Sequence, residues 1–360
     1  MLTPDSKFGI EWIKIEEGEF MFGEEALSFK RTTPILKNLP LRLLKSPIFQ
    51  NVTRIKPFFN LENFYNYLYL PTFWISKTPI TNRQYQLFKE KIGAADNDVQ
   101  AYPSGKGNHP VVEVSLHDAF CFADWASKEF NCYITLPSEA EWEKAASWNP
   151  ESKTKSQYPW GNEFIVEMCN CKEAGFHSTT HVNKYENAKS AYGILDMSGN
   201  VWEWTRSKYR NLPYDPQDGR RDEVKLEEYG ATVLRGGSFL HSKSYQRTTF
   251  RLNSKQYPYK KYVDIGFRIA AFLTENPYTS LSTGTENLSA LRKKMMQFLD
   301  MGEIKTICFD MEIDEELLKR STKGEFVQEL IKYCQRHNRI NALRKKCAEL
   351  NSNPNIDWNE

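Results

Sequence analysis

The sequence predicts an α+β, loop-rich domain over residues 1–273 and a small all-α domain over residues 287–360. In the first part, short strands and helices with clear capping signals are separated by long irregular stretches. A polar segment at 274–286 then indicates a linker, and the chain beyond it is charged and shows helical periodicity. A chain of 360 residues with 40% hydrophobic and 14% aromatic residues is long enough for one large core and one small core.

The elements of the first domain follow from local patterns. Alternating apolar and polar residues at 8–23 predict a pair of strands, and residues 70–81 predict another strand. Residues 25–66 contain apolar clusters and prolines without a clear period. Three helices are predicted by capping boxes, in which a hydroxyl residue and a polar residue three positions later satisfy each other's backbone N–H groups. These pairs are Thr81 with Gln84, Ser115 with Asp118, and Ser138 with Glu141.

Beyond the linker, hydrophobic periodicity predicts an amphipathic helix at 288–301 and two helices within 324–350 that break near residues 337–338. The apolar positions of these helices predict a core of their own. Its members are Leu291, Met295, Phe298, Phe326, Leu330, Tyr333, Leu343, Cys347 and Leu350. We therefore expect the C-terminal domain to fold independently of the first.

The bulk composition argues against several classes of protein. A net charge of +2 gives no general basis for binding nucleic acid, and no run of about 18 apolar residues predicts a membrane span. The first residues show no secretory signal pattern. Seven scattered cysteines, an odd number, favour reduced thiols over a disulfide framework. We therefore expect a cytoplasmic protein.

The most informative motif is the segment AYGILDMSGNVWEW. Its carboxylates, Asp196 and Glu203, lie on either side of Gly199, which allows the backbone to turn its carbonyl groups inward. Calcium prefers such a mixture of side-chain and main-chain oxygens. The alternative is that Asp196 caps a turn and that Glu203 pairs with Arg235 or Arg268.

This motif is one of four that occur in order: TLPSEAEWEKAA at 135–146, DMSGNVWEW at 196–204, RGGSF at 235–239 and IGFRIA at 265–270. Together they resemble the sulfatase-modifying-factor family, whose founding activity is that of the formylglycine-generating enzyme. The resemblance covers roughly residues 8–273 and implies a loop-rich fold related to C-type lectins. Because the connection at 25–66 is usually short in that family, we interpret these residues as an insertion.

The resemblance implies two structural calcium sites. The first is formed by side-chain and main-chain oxygens at Asp196, Gly199, Val201 and Glu203. The second begins at an asparagine before a small loop, which corresponds to Asn170 with Cys171 and Glu173 after it. Nothing near either site suggests an activated water, so the resemblance implies a structural role for the ions.

The resemblance also implies the position of an active site, and there the sequence departs from the family. Formylglycine-generating enzymes oxidise a substrate cysteine with molecular oxygen and copper(I), which two cysteines hold on the segment after RGGSF. In this chain His241 and Gln246 stand at those positions. Because a glutamine amide is a poor ligand for a soft cation, the sequence favours a protein without this activity.

Other metal centres find little support in the residue pattern. Ergothioneine-type relatives bind iron with three histidines and an extra helical domain, whereas the six histidines here show no helical pairing. His177 and His181 are interpreted as solvated loop residues. Cys169 and Cys171 form a CxC pair, but a zinc site of this kind needs a second pair. The arginines of RGGSF and IGFRIA are interpreted as braces between loops.

The segment at 239–262 is rich in tyrosine and small polar residues, which form rigid recognition surfaces at modest entropic cost. Variable proteins of the same fold bind ligands with this segment and have no enzymatic role. The alternative is that the tyrosines fill a strand-poor core. The candidate ligand-binding residues are Phe239, His241, Tyr245, Gln246, Tyr257 and Tyr259.

The C-terminal domain resembles bacterial effector-associated domains, which are small helical adaptors that join components of conflict and signalling systems by pairing with related domains. The segment IKTICFDMEIDEELL and the helices after it carry the resemblance. An unrelated dimerising tail is the alternative. The resemblance implies a partner-binding role for Phe309, Asp310, Tyr333 and Arg336.

Two hypotheses of function follow. The first is a non-catalytic module that binds a protein or small ligand, contains structural calcium, and recruits an effector or signalling protein of bacterial defence through its helical adaptor. The second is a metal-dependent oxidase or oxygenase of the same fold with an atypical active site. The residues at 241 and 246 favour the first hypothesis, because function depends on the site rather than on the fold.

Overall fold

The computed structural model describes most of the first domain and the helices of the second. The described residues are 7–24, 64–93, 102–212, 214–215, 231–254, 259–273, 288–311, 313, 318, 322–336, 339–351, 356 and 358. The predicted linker, most of the predicted insertion and Tyr257 lie outside them. No helix within the described ranges is both long and apolar enough to cross a membrane.

In chain order, the strands are Trp12–Ile15 (β1), Gly18–Glu24 (β2), Phe64–Leu70 (β3), Phe73–Ser76 (β4), Tyr133–Thr135 (β5), Trp148–Asn149 (β6), Thr154–Lys155 (β7), Trp202–Lys208 (β8), Thr232–Arg235 (β9), Leu252–Asn253 (β10), Ile265–Phe267 (β11) and Ala270–Phe272 (β12). The α-helices are Asn82–Lys91 (α1), Leu116–Phe130 (α2), Glu139–Ser147 (α3), Leu288–Phe298 (α4), Met301–Asp310 (α5), Lys323–Arg336 (α6) and Ile340–Leu350 (α7). This mixed, loop-rich architecture with C-terminal helices confirms the predicted fold class.

Two four-stranded sheets frame the first domain. One is antiparallel with the order β1–β4–β12–β5, and the other has the order β10–β9–β8–β11, in which β11 runs parallel to β8. The predicted strand pair at 8–23 forms both strands, but they do not pair with each other. Strand β1 pairs with β4, and β2 pairs with β3. Residues 64–66, which the sequence assigned to the insertion, begin β3.

All three helices that were predicted from capping boxes are present. Helix α1 begins after Thr81, α2 after Ser115 and α3 after Ser138, and each box forms in both directions. The box satisfies two backbone N–H groups that a helix start otherwise leaves unpaired. These helix starts are therefore determined by residues that are neighbours in the sequence.

Helix α3 is buried along its whole length and carries three glutamates, each of which meets an arginine from elsewhere in the chain. Buried carboxylates need such partners, because removing a charge from water is costly. The pairs join α3 to β8, to β9 and to the segment before β10: Glu141 with Arg206, Glu143 with Arg235, and Glu139 with Arg251. Of these arginines, Arg235 is the one that the sequence interpreted as a brace, and it is buried in its pair with Glu143.

The C-terminal helices enclose their own apolar core, as the periodicity predicted. Leu291, Met295, Leu330 and Leu343 are fully or almost fully buried in one cluster, and Phe298 packs on its edge. The break between α6 and α7 falls where it was predicted. Helix α5 was not singled out by the sequence pattern, although it supplies part of this core.

The two domains touch through an acidic residue of β2. The Glu19 carboxylate accepts a hydrogen bond from the Tyr333 hydroxyl at 3.0 Å and lies 3.3 Å from the Arg339 guanidinium. That guanidinium also stacks over the ring of Tyr69, 5.3 Å from its centroid. A cleft of about 950 Å³, lined by residues of both domains, lies beside this contact. The C-terminal domain is thus docked on the first domain as well as packed on itself.

Candidate functional site

The candidate cation site lies in the loop that leads into β8. Asp196, Gly199 and Asn200 all have positive φ angles, of 55°, 85° and 68°, so this loop turns tightly before the strand begins. At Gly199 a Cβ atom would lie 2.5 Å from the carbonyl oxygen of Asn170, which leaves room only for glycine. The motif DMSGN therefore brings the loop against residue 170.

Asn200 joins the two predicted calcium segments. Its backbone N–H donates to the Asn170 carbonyl at 2.8 Å, and its side-chain Oδ1 accepts from the Thr180 backbone N–H at 2.9 Å. Its Nδ2 donates to the Thr180 carbonyl at 3.1 Å and to Asp196 Oδ2 at 3.3 Å. Sequence reasoning missed Asn200. The signal was its position directly after Gly199, where a short amide side chain tolerates positive φ.

Two oxygens beside this junction lack the partners that burial demands. Burial raises the pKa of the Asp196 carboxyl to about 7, and among the described residues its carboxylate accepts one hydrogen bond, from Asn200. Asn170 Oδ1 is buried without a hydrogen-bond partner in the described part of the chain. The Asn170 amide orientation is fixed, because Nδ2 donates to the Ser178 carbonyl at 2.8 Å. An anionic oxygen and an amide oxygen of this kind suit a hard cation.

Glu203 behaves differently from Asp196. Arg268 binds both of its carboxylate oxygens, with Nε at 2.6 Å and Nη2 at 2.7 Å, and the Trp142 indole donates a third bond at 2.7 Å. The pairing with Arg268, which the sequence left as an alternative, is the one present. A carboxylate with this bidentate partner has no need of a further cation. Asp196 and Asn170 therefore each keep an oxygen of the type that suits a hard cation, whereas Glu203 is held in a structural ion pair.

The remaining predicted ligands are close to this junction. The Gly199 carbonyl accepts the Val201 N–H at 2.9 Å. Cys169 and Cys171 are fully buried. Their mutual hydrogen bond raises the pKa of the Cys169 thiol and lowers the pKa of the Cys171 thiol. Within the described residues, no cluster of three or more His, Cys, Asp or Glu side chains is arranged to hold a metal ion.

His241 lies at the edge of the proposed ligand surface. The Trp202 indole N–H donates to its Nδ1 at 3.1 Å, and Ser238 Oγ lies 2.7 Å from the same nitrogen. Ser238 Oγ is also 2.7 Å from Asp264 Oδ2. Burial lowers the pKa of His241 in spite of the nearby Asp264 carboxylate. The imidazole is therefore predominantly neutral at pH 7, and its side chain is 33% exposed.

Gln246 is not part of any exposed surface, which corrects the expectation from the sequence. Its side chain is fully buried, and Nε2 donates to the carbonyls of His241 at 2.9 Å and Ser238 at 3.3 Å. It packs so closely on Gly237 that a Cβ there would lie 2.4 Å from its Oε1. Phe239 is buried as well. Both residues support the loop instead of contacting a ligand directly.

The tyrosines divide between the two roles that the sequence left open. Tyr245 is half-buried and packs against Phe250 with ring centroids 4.8 Å apart, as a core-filling residue does. It also flanks His241, 5.1 Å away. Tyr259 is 56% exposed and is available to a ligand. Of the predicted ligand-binding residues that the structure describes, His241, Tyr245 and Tyr259 therefore keep side-chain exposure, whereas Phe239 and Gln246 are buried.

The predicted partner-binding residues of the C-terminal domain differ in their exposure to solvent. Phe309 is 82% exposed, which is unusual for a large apolar side chain, and Asp310 beside it pairs with Lys346 at 3.2 Å. Tyr333 is buried at the interdomain contact with Glu19, so it is not on an open face. The side chain of Arg336 lies outside the described positions.

Comparison with known protein families finds a match in each of the two domains. A family model described as the sulfatase-modifying factor enzyme 1-like domain matches residues 11–272, and one described as effector-associated domain 7 matches residues 291–352. The chain therefore belongs to the sulfatase-modifying factor enzyme 1-like family and carries a C-terminal effector-associated domain.

Curated relatives include enzymes and an inactive homologue. The chain is 29% identical over 232 residues to the hercynine oxygenase of Mycobacterium tuberculosis, an alignment covering 56% of this chain and 53% of the relative. It is 35% identical over 180 residues to the formylglycine-generating enzyme of Thermomonospora curvata, covering 46% and 56%. It is also 35% identical over 130 residues to the inactive Cα-formylglycine-generating enzyme 2 of Bos taurus, covering 31% and 40%. The chain thus spans about half the length of the relatives it matches.

Solved structures show the same fold. PvdO from Pseudomonas aeruginosa superposes with a TM-score of 0.52 at 22% identity, covering 74% of this chain and 96% of that one. The variable protein 1 of Treponema denticola gives a TM-score of 0.51 at 19% identity, covering 72% and 94%. At these identities the likeness concerns the fold alone.

Proposed function

We propose that this chain is a non-catalytic recognition module, in which the first domain binds a ligand and the second recruits an effector or signalling protein. The observation that carries the proposal is the state of Gln246. Its amide lies at a position where the resembled oxidases place a copper-binding cysteine, and it is buried with Nε2 committed to two carbonyl oxygens. Such a group offers no soft ligand for copper(I).

The proposal includes a structural calcium ion at the loop before β8. Asp196 and Asn170 would supply a carboxylate and an amide oxygen, which are the oxygens left short of partners there. The ion would supply positive charge that offsets the burial of Asp196 and would fix the loop against residue 170. Because Glu203 already pairs with Arg268, it is not included as a ligand.

The recruitment role is supported by the effector-associated domain and by one exposed side chain. Phe309 projects from α5 beside the Asp310–Lys346 ion pair. An exposed aromatic residue with charged neighbours is typical of the few residues that dominate a protein interface. We propose that the partner carries a related helical domain and that the pair acts in bacterial defence in the cytoplasm.

The catalytic side of the proposal is tested with a cysteine-containing peptide of sulfatase type, incubated with the full chain, copper and oxygen. Mass spectrometry should show an unchanged peptide. Conversion of the cysteine to formylglycine by the wild-type chain, together with its loss in His241→Ala, would contradict the proposal. The Thermomonospora curvata relative serves as a positive control for the peptide and the conditions.

The recruitment side is tested by the binding of the full chain to a protein that carries an effector-associated domain. Phe309→Ala should weaken this binding about tenfold or more, because an interface anchor typically contributes more than 1.4 kcal/mol. Met296→Ala is a matched control, since Met296 is another exposed apolar residue of the same domain, on α4. Equal binding by wild type and Phe309→Ala would remove Phe309 from the interface.

A further inference from the structure

We infer that one face of helix α7 is a binding surface for acidic segments, and that the acidic turn between β1 and β2 of the same chain occupies it in the docked structure. A protein partner that presents adjacent carboxylates would then compete with this turn for the C-terminal domain. The inference rests on the proposed function, because it names the chemistry of the partner that this domain recruits.

The face on α7 is basic. Arg339 directly precedes the helix, and Lys345 and Lys346 follow six and seven residues later, which is close to two helical turns. All three residues line the cleft between the domains. Lys346 is already paired with Asp310 at 3.2 Å and Glu349 at 2.9 Å, whereas the side chain of Lys345 is 79% exposed. The positive charge offered to a partner therefore comes mainly from Arg339 and Lys345.

The opposite wall of the cleft is acidic. Strands β1 and β2 are joined by a tight turn, and Glu16, Glu17 and Glu19 of this region line the cleft. The buried Lys144 Nζ donates to the carbonyls of Glu16 at 2.8 Å and Gly18 at 3.1 Å. These bonds hold the turn in one shape, so its carboxylates meet the basic face at little cost in conformational entropy. The two walls are complementary in charge.

Glu19 joins the two walls. Its carboxylate accepts a hydrogen bond from the Tyr333 hydroxyl at 3.0 Å and lies 3.3 Å from Arg339 Nη1. Among the described residues, no apolar cluster has members from both domains. The docking contact therefore depends on polar and charged groups instead of a shared core, and such a contact opens at a small cost in free energy.

The docked structure leaves Arg339 incompletely paired. Its Nη2 donates to the Met311 carbonyl. Its Nη1 contact with Glu19, at 3.3 Å, is longer than the about 2.7–2.9 Å of a strong charge-assisted hydrogen bond. Its Nε is buried without a hydrogen-bond partner in the described part of the chain. A guanidinium that is held this loosely can exchange Glu19 for the carboxylate of another protein.

The inference is tested with a free peptide of residues 15–20, IEEGEF, blocked at both ends, and with a matched peptide in which glutamine replaces the three glutamates. Fluorescence anisotropy of labelled peptide measures binding to the full chain. The acidic peptide should bind Glu19→Gln roughly three- to fivefold more tightly than the wild type, because loss of the contact within the chain leaves the basic face open more often. The glutamine peptide should bind neither form.

A second substitution in the Glu19→Gln background locates the site. Lys345→Gln should weaken binding of the acidic peptide roughly threefold or more, and its exposed side chain makes unfolding no concern. Lys305→Gln is the matched control, since Lys305 is an exposed lysine of α5 that does not line the cleft. Added salt should weaken binding, because exposed charges are screened.

Two results would overturn the inference. Equal binding of the acidic and the glutamine peptide would show that the face does not recognise carboxylates. Equal affinity of the wild type and Glu19→Gln for the acidic peptide would show that the turn does not occupy the face in the docked structure.

The inference and the proposed function fail in different ways. If the acidic peptide does not bind but Phe309→Ala weakens recruitment, the inference falls and the recruitment role stands. If the peptide binds as expected but no protein with an effector-associated domain is recruited, the recruitment role falls and the basic face remains a contact within the chain.

Discussion

Replacing Asp196 by asparagine tests the proposed calcium site most sharply. Burial raises the pKa of this carboxyl from 3.8 to about 7. The folded state therefore holds the proton more tightly than the unfolded state does. The stability that Asp196 contributes without calcium is present below about pH 4 and is lost as the pH rises to 7 and above. A difference of roughly three pKa units corresponds to about 4 kcal/mol at pH 8.

Asp196→Asn keeps the shape of the side chain and removes the charge. In a calcium chelator at pH 8, the variant should be more stable than the wild type by up to about 4 kcal/mol. Calcium should stabilise the wild type, because it binds only the folded state, and should have little effect on the variant. Thermal and urea unfolding at pH 5 and pH 8, with chelator and with calcium, measure all of these differences.

Glu203→Gln provides the contrast. It leaves Arg268 buried without its carboxylate, so it should destabilise the protein by about 3–5 kcal/mol with or without calcium. If the wild type in chelator were equally stable at pH 5 and pH 8, and calcium changed nothing, the assignment of Asp196 to a cation site would be refuted. If Glu203→Gln abolished calcium sensitivity without a large loss of stability, the ligand set would have to include Glu203.

Three further predictions concern the loop, the domain contact and the tail. Gly199→Ala should destabilise the chain by more than about 1 kcal/mol, because its Cβ would strike the Asn170 carbonyl at a positive φ, and normal stability of this variant would contradict the loop geometry. Glu19→Gln should weaken the docking of the C-terminal domain and increase the radius of gyration measured by small-angle scattering, whereas Glu17→Gln should leave it unchanged. Equal scattering profiles for the wild type and Glu19→Gln would show that Glu19 does not hold the domains together. Leu330→Asp should unfold the C-terminal domain, since it buries an unpaired carboxylate, while the first domain stays folded. If far- and near-ultraviolet circular dichroism showed that the variant loses the structure of both domains in one cooperative step, the two domains would form one folding unit.

The parts of the fold that sequence could predict are those decided by neighbouring residues. The capping boxes at Thr81, Ser115 and Ser138 lie within four residues and were all recognised. The pairing of β1 and β2 was wrong, because their true partners are β4 and β3, which lie much further along the chain. Strand pairing depends on these distant contacts, and alternation alone does not specify them.

In the candidate site, too, the sequence predicted what neighbouring residues decide and missed what distant contacts decide. The motif around Asp196 and Glu203 identified the loop, but two carboxylates of similar sequence context have opposite environments. Only the fold brings Arg268 to Glu203 and leaves Asp196 short of partners. Likewise, the identity of Gln246 argued against copper from sequence alone, whereas its burial and its bonds to two carbonyls required the three-dimensional structure.

The central claim is that the site at His241 and Gln246 holds no catalytic metal. The most direct measurement is the metal content of the full chain after anaerobic reconstitution with copper(I), iron(II) and calcium, determined by mass spectrometry after desalting. We predict bound calcium that is lost in Asp196→Asn, with copper and iron far below one ion per chain. One copper or iron ion per chain, lost on His241→Ala, would contradict the account.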